Sequence, residues 1–229
     1  LDKHLFGGKQ PVADTAINPL DWVHADDIVT YPYDPGKAAE LLDAAGWRRG
    51  AGGIRRDAAG TMMSLELMST AGARTRELVE QILQSQWKAL GVEVPIHNEP
   101  ARVLIGDTMP HRRYAMAMIA WVSSPENVPR TTLHSSMIPT LANNWAGDNF
   151  CAFADPEMDT ILERIEEELD PAKRKILWHR FQEIYAEQLP ALPLYFRADP
   201  FIVPAWLKGV EPTGHDAPST LWVERWREE

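Results

Sequence analysis

The Asp-Pro pairs at Asp34-Pro35, Asp155-Pro156 and Asp170-Pro171 constrain this chain more than any other feature. At each, the carboxylate can accept orphan N–H bonds of a helix start, and proline suits the first helical position, where its missing donor costs nothing. After the first pair, Ala38, Leu41, Leu42 and Ala45 fall at i, i+3, i+4 and i+7, a one-sided apolar stripe. Gly46 is placed for the left-handed turn that ends such a helix, and Trp47 for a fold back onto its last turn. The second pair aligns Met158, Ile161, Leu162, Ile165 and Leu169; the third aligns Leu177, Phe181, Ile184 and Tyr185. Almost no connection separates these last two helices, which predicts an antiparallel pair or a sharp bend.

Strands fill the intervals. Residues 61–68 end in Leu65-Glu66-Leu67-Met68, a predicted strand, and residues 48–60, rich in Gly and Arg, read as a turn or small hairpin. A helix is predicted from the turn at 69–73 to Leu90, with Val79, Ile82, Leu83, Trp87 and Leu90 on one side and Gly91 as its stop. Residues 92–97 read as a strand that Pro95 pushes toward an edge or an irregularity. Residues 100–110 form a short helix or loop. Residues 114–122 are apolar on both parities, the pattern of a strand buried on both faces. Periodicity is lost from 123 to 147, which predicts a long functional loop, and residues 11–30 are loop-like. The order is α/β with a mixed sheet flanked by helices.

Composition removes several function classes. A net charge of −10 disfavours nucleic acid, because phosphates would be repelled and no basic run compensates. No apolar run approaches the ~20 residues of a membrane span. Cys151 is the sole cysteine, so no intrachain disulfide is possible. The chain opens on Leu1 without a charged-then-apolar leader, as a mature secreted product or an excised piece would.

The segment Tyr31-Pro32-Tyr33-Asp34-Pro35, closing in Ala45-Gly46-Trp47, resembles the extracellular solute-binding proteins of family 5, the dipeptide, oligopeptide and nickel receptors of ABC importers. Further segments follow in the family's order: Leu90-Gly91-Val92, Ala120-Trp121, Gly147-Asp148-Asn149-Phe150 leading to Asp155-Pro156-Glu157-Met158-Asp159, and Leu189-Pro190-Ala191-Leu192-Pro193-Leu194. The resemblance implies a periplasmic-binding-protein type II-like lobe from the C-terminal half of a longer receptor. Residues 1–195 would form the solute-binding lobe, and residues 196–229 a tail returning toward a first lobe outside this chain. It further implies a monomer in the periplasm or outside the cell, lipid-anchored or secreted, that captures a small polar solute, peptide first, and hands it to a membrane permease. No chemistry on the solute, no cofactor and no metal are implied. Peptide-binding members commonly carry Asp three residues after the strand-end Trp; here Ser124 stands there, which forfeits a charge-assisted bond to a peptide ammonium.

Site candidates follow from what a polar solute needs, apolar walls with a few fixed hydrogen-bonding groups. Trp121 is a wall candidate by the resemblance, though Trp is commonly core. Ser123 and Ser124 supply hydroxyls beside it. Ser69, Thr70 and Arg74, between a strand and a helix start, can meet an anion or form an ordinary capping turn. Trp145 is a second stacking wall or a surface aromatic, and Asn149 a ligand contact or a loop-fixing group. Asn143, Asn144 and Ser124 would also suit hydroxyl-rich solutes. Enzymatic signatures are missing: no Gly-x-Ser-x-Gly elbow, no Gly-rich phosphate loop, no His-Glu-x-x-His helix. His111 and His134 are isolated in sequence, and Glu163, Glu166, Glu167 and Glu168 read as a solvated face. A hydrolase working through scattered carboxylates is the rival from another class.

Overall fold

Helix α1 (Pro35–Ala44) starts where Asp34 Oδ1 accepts the Lys37 N–H at 2.8 Å, and ends at Gly46, whose φ of +89° lets Trp47 N donate back to Leu42 O at 2.9 Å. The structure is a computed structural model and describes residues 5–121, 127–198, 201–211 and 219–229. In chain order the other elements are β1 (Arg48–Arg49), β2 (Arg55–Arg56), β3 (Leu67–Met68), α2 (Arg74–Leu90), α3 (Ala101–Val103) running into a π turn over Leu104–Thr108, and β4 (Met116–Ala117). After these come α4 (Arg130–Leu133), short 3-10 turns at Ser135–Met137 and Leu141–Asn143, α5 (Pro156–Glu167), α6 (Pro171–Gln188), β5 (Leu207–Lys208) and β6 (Arg227–Glu228). The chain divides into two compact units. The first unit comprises Leu1–Thr30, Trp121–Ile138 and Gly147–Glu229; the second comprises Tyr31–Ala120 and Pro139–Ala146.

The second unit is built on a parallel ladder. β3 pairs in parallel with β4, and bridges Ser64↔Glu93, Leu67↔Ile96 and Thr70↔Glu99 add residues 93–99 on its other side. Leu65 N donates to Glu93 O, Leu67 N to Pro95 O and His97 N to Leu67 O. Pro95 has no N–H to give, so the ladder is interrupted there, the irregularity its sequence position predicts. β1 and β2 form an antiparallel two-stranded hairpin, separate from the parallel β3–β4 pair, and β5 and β6 form a second antiparallel pair. Helix α2 buries Val79 and Leu83 and is tied to residues 93–99 by Gln84 Nε2, which donates to Val94 O at 2.6 Å, and Gly91 stops it at φ +88°.

Arg55 holds the ends of this unit together. It is 1% exposed. Its Nη1 donates to Asp43 Oδ1 at 2.7 Å and Trp47 O at 2.6 Å, its Nη2 to Ala39 O at 3.3 Å, and its Nε to Leu90 O at 2.7 Å. One guanidinium thus joins Asp43 in the last turn of α1, with Ala39 O inside that helix and Trp47 O just past it, to Leu90 O at the C-terminal end of α2, where the helix dipole favours a cation.

The first unit is organised by α6. Leu177, Trp178, Phe181, Ile184 and Tyr185 pack with Met158, Ile161, Leu162 and Ile165 of α5, joined by Ile17, Val23 and Leu133. Both helices start at their Asp-Pro pairs, with Asp155 accepting from Met158 N and Asp170 from Ala172 N. Gln182, wholly buried on α6, accepts from Ala25 N and donates to Val23 O, pinning the otherwise irregular segment before α1.

Helix α1 lies at the surface: Leu41 is 59% exposed, Ala45 is exposed, and no α1 residue is fully buried. Other expectations are corrected. The predicted doubly buried strand at 114–122 reduces to β4, which pairs among the described residues with β3 alone, and none of residues 114–121 is fully buried. Apolar content on both parities is equally compatible with an edge position. The predicted loop at 123–147 contains α4 and two 3-10 turns, too short to leave a periodic signal. Leu169 lies beyond the end of α5 and is 89% exposed.

Candidate functional site

The site centred on Trp121 is assembled from its support upward. Gly147 takes φ +99°, and a Cβ there would overlap the Met137 carbonyl oxygen. This close approach lets Asn149 N donate to Met137 O at 3.2 Å and Asp148 N to Thr131 O at 3.1 Å. Asn149 is wholly buried; its Nδ2 donates to His134 O and Phe153 O, and its Oδ1 accepts from Phe153 N. Every polar atom of that side chain is therefore engaged with backbone, and Asn149 acts by fixing the turn that buries Phe150. The Phe150 ring, 5% exposed, lies 6.3 Å from the Trp121 ring at an interplanar angle of 25°. Trp121 is 55% exposed, so the indole is backed by the core and still open to solvent. Ser123 and Ser124 lie outside the described residues.

In the second unit, Ser69 and Thr70 sit at the C-terminal end of the ladder. Ser69 is wholly buried, its Oγ donates to Met118 O at 2.9 Å, and its N–H donates to Asn98 Oδ1 at 2.8 Å. Thr70 Oγ1 accepts from Arg76 Nη2. Both hydroxyls tie strands and helix together. Arg74 is the exposed first residue of α2. Trp145 lies against His111, with ring centroids 4.1 Å apart. The candidates thus form three groups: Trp121 with Asn149 through Phe150, Ser69 with Thr70 and the adjoining Arg74, and Trp145 with His111.

Two polar clusters escaped the sequence. His134, 6% exposed, accepts at Nδ1 from Ser136 N at 3.1 Å, which places the proton on Nε2, 3.3 Å from Glu163 Oε1. Its role is to cap the 3-10 turn and join it to α5. Glu80, wholly buried on α2, accepts from Asn98 Nδ2 at 2.8 Å and leaves Oε1 without a partner. Burial raises its carboxyl above the ordinary value of 4.5; the Asn98 bond opposes this, and Glu77 adds to it. A buried acid at helix spacing carries no sequence signal apart from its place on the apolar side of α2, beside Val79 and Leu83.

A stability prediction follows from Glu80. The folded state binds this proton more tightly than the unfolded chain, so the associated stability is complete below 4.5 and is lost as pH rises through the raised value. Urea midpoints of wild type and Glu80→Gln, compared from about pH 4 to about pH 8, should therefore move in the variant's favour with rising pH. A pH-independent difference would refute the assignment.

Among the described residues, no group of three or more His, Cys, Asp or Glu is placed to hold a metal, and no helix is long and apolar enough to cross a membrane.

Comparison with known proteins decides the family. The sequence profile of the bacterial extracellular solute-binding proteins, family 5 Middle, matches residues 2–138. The chain belongs to this family. A di/tripeptide-binding protein 1 from Pseudomonas aeruginosa is 26% identical over 195 residues, covering 83% of this family 5 chain and 33% of the relative. The oligopeptide-binding protein AppA of Bacillus subtilis is 26% identical over 228 residues, covering 97% and 40%. Among solved structures, an oligopeptide-binding protein from Thermus thermophilus, complexed with a pentapeptide, superposes with a TM-score of 0.79 at 34% identity, over 90% of this chain and 36% of that one. The family 5 chain thus spans well under half the length of these proteins. Its fold is the α/β periplasmic-binding-protein fold, and the relatives are named as binding proteins rather than enzymes.

Proposed function

We propose that this chain is the C-terminal solute-binding part of an ABC-importer receptor that captures a peptide and releases it chemically unchanged to a membrane permease. The observation that carries the reading is the 34% identity and TM-score of 0.79 to the pentapeptide-bound Thermus protein, sustained over 90% of the chain. The half-exposed, core-backed Trp121 supports it, since a rigid aromatic wall gives contact area to a flexible solute at small entropy cost. In this reading the receptor works outside the cytoplasmic membrane as a monomer, without nucleic acid. Residues 1–195 supply the lobe, and the tail from 196 returns toward the part of the receptor that precedes this chain. Phe201, Ile202, Trp206 and Leu221, all exposed on that tail, are apolar side chains suited to such a contact.

Calorimetry on the intact receptor with short peptides tests the proposal. Tri-alanine should bind without turnover, and Trp121→Ala should weaken binding about 10-fold or more while leaving the melting temperature nearly unchanged, because the ring is largely solvent-facing. Unaltered affinity in the variant, or release of product from a chromogenic ester by wild type, would refute it.

A further inference from the structure

Four side chains nearly close a polar ring at the C-terminal end of the ladder. Arg76 Nη2 donates to Thr70 Oγ1, Ser69 N donates to Asn98 Oδ1 at 2.8 Å, and Asn98 Nδ2 donates to Glu80 Oε2 at 2.8 Å. Thr70 follows Ser69 in the chain and Glu80 follows Arg76 by one turn of α2, so the path comes back to its start. The ring is open at one point. Arg76 Nε, a donor, and Glu80 Oε1, an acceptor, are both buried without a hydrogen-bond partner among the described residues. Each carries a desolvation cost that a bond to the other would remove.

The charges around Glu80 are few. Arg76 favours its ionised form and Glu77 disfavours it, both from α2 itself. Glu77 is committed to the turn before the helix, where its Oε1 accepts from Gly72 N at 2.9 Å. The facing strand segment presents the neutral Asn98; beside it, His97 lies 3.6 Å from Glu66, and Glu99 accepts from Thr108 at 2.6 Å. β3 ends in the neutral Ser69 and Thr70. Helix α1, which also packs on α2, pairs Lys37 with Glu40 and Asp43 with Arg55 and Arg48.

The state of the Glu80 carboxyl therefore decides what Arg76 holds. A neutral carboxyl carries its proton on Oε1, since Oε2 accepts from Asn98, and gives the guanidinium no reason to leave Thr70. Once that proton passes to solvent, a buried anion stands one turn from a cation with a free N–H, and a charge-assisted bond outweighs one to a hydroxyl. We propose that Arg76 is the moving arm of a proton-operated latch on the turn at 69–73, holding Thr70 while Glu80 is protonated and turning to Glu80 Oε1 when the proton leaves. The turn then keeps the Glu77 bond to Gly72 but loses its tie through the Thr70 hydroxyl, so rising pH loosens it. Burial places the change above the ordinary carboxyl value of 4.5.

Crystal structures of the intact receptor at about pH 4.5 and about pH 8, with amide exchange over residues 69–73, test the latch. In acid Arg76 should bond Thr70 Oγ1; in alkali its Nε should lie within hydrogen-bond distance of Glu80 Oε1. Exchange at Ala71 and Ala73, corrected for its intrinsic pH dependence, should quicken about 10-fold or more between the two, the loss of one charge-assisted bond. Glu80→Gln, neutral throughout, should keep Arg76 on Thr70 and show no such change. Arg76→Met should exchange at the faster rate at both values. Arg76 on Thr70 at both pH values in wild type, or a water bridging Nε and Oε1 at both, overturns the latch. The same pH-dependent loosening in Glu80→Gln assigns it to another group and overturns it equally.

Discussion

Arg55→Met should destabilise the fold by about 3–5 kcal/mol, the range for breaking a buried, fully hydrogen-bonded charge. The substitution leaves Asp43 with Arg48 alone, at 3.5 Å, and removes the donors to the Ala39, Trp47 and Leu90 carbonyls, so the tie between α1 and the end of α2 is lost at once. Urea unfolding followed by circular dichroism gives the magnitude, and amide exchange the location: protection should fall first at the C-terminal turns of α1 and α2. Arg55→Lys should recover only part of the loss, because a single ammonium cannot reach donors' positions spread over a planar fork. A midpoint within error of wild type for Arg55→Met would show that these carbonyls find other partners and that the hub is decorative.

The second large effect is expected at Gly147. Its φ of +99° is outside the range comfortable for any residue with a side chain, and the added Cβ would overlap the Met137 carbonyl, a backbone group that cannot swing aside. Gly147→Ala should therefore destabilise by about 3 kcal/mol or more, combining the dihedral cost with forced displacement of the turn. Gly46→Ala is the matched control, since it shares a positive φ of +89° but meets no atom within 4 Å. It should lose only about 1 kcal/mol, the dihedral part alone. Equal losses at the two glycines would mean that the overlap with Met137 relaxes freely. In the Gly147 variant the turn under Phe150 shifts as well, so, if Trp121 serves as the solute wall proposed above, affinity should fall with stability.

What could be read from the sequence was whatever is decided within a few residues. Asp34, Asp155 and Asp170 cap the helices they precede because a cap is a contact between neighbours. Gly46 and Gly91 end their helices for the same reason, and Pro95 disturbs its ladder at the position where it stands. Arg55, Glu80 and Gln182 were invisible because their partners lie far along the chain, 157 residues for the bond between Gln182 and Ala25. By composition each is an ordinary surface residue. Residues 114–122 mislead for another reason: the number of strands beside β4 is a property of the sheet, which the strand's own side chains do not encode. Ser69 has the right chemistry for a solute contact, yet its hydroxyl is taken by Met118 O, a competition that only the assembled ladder reveals.

The division into two units has an evolutionary corollary. Cuts at Thr30, Ala120, Ile138 and Ala146 would all be needed to separate them, because each unit is stitched from non-contiguous stretches. No single crossover between genes could exchange one body for its counterpart in another receptor. Recombination at residue 120 would carry the ladder but leave Pro139–Ala146, which belong to the same unit, with the other parent.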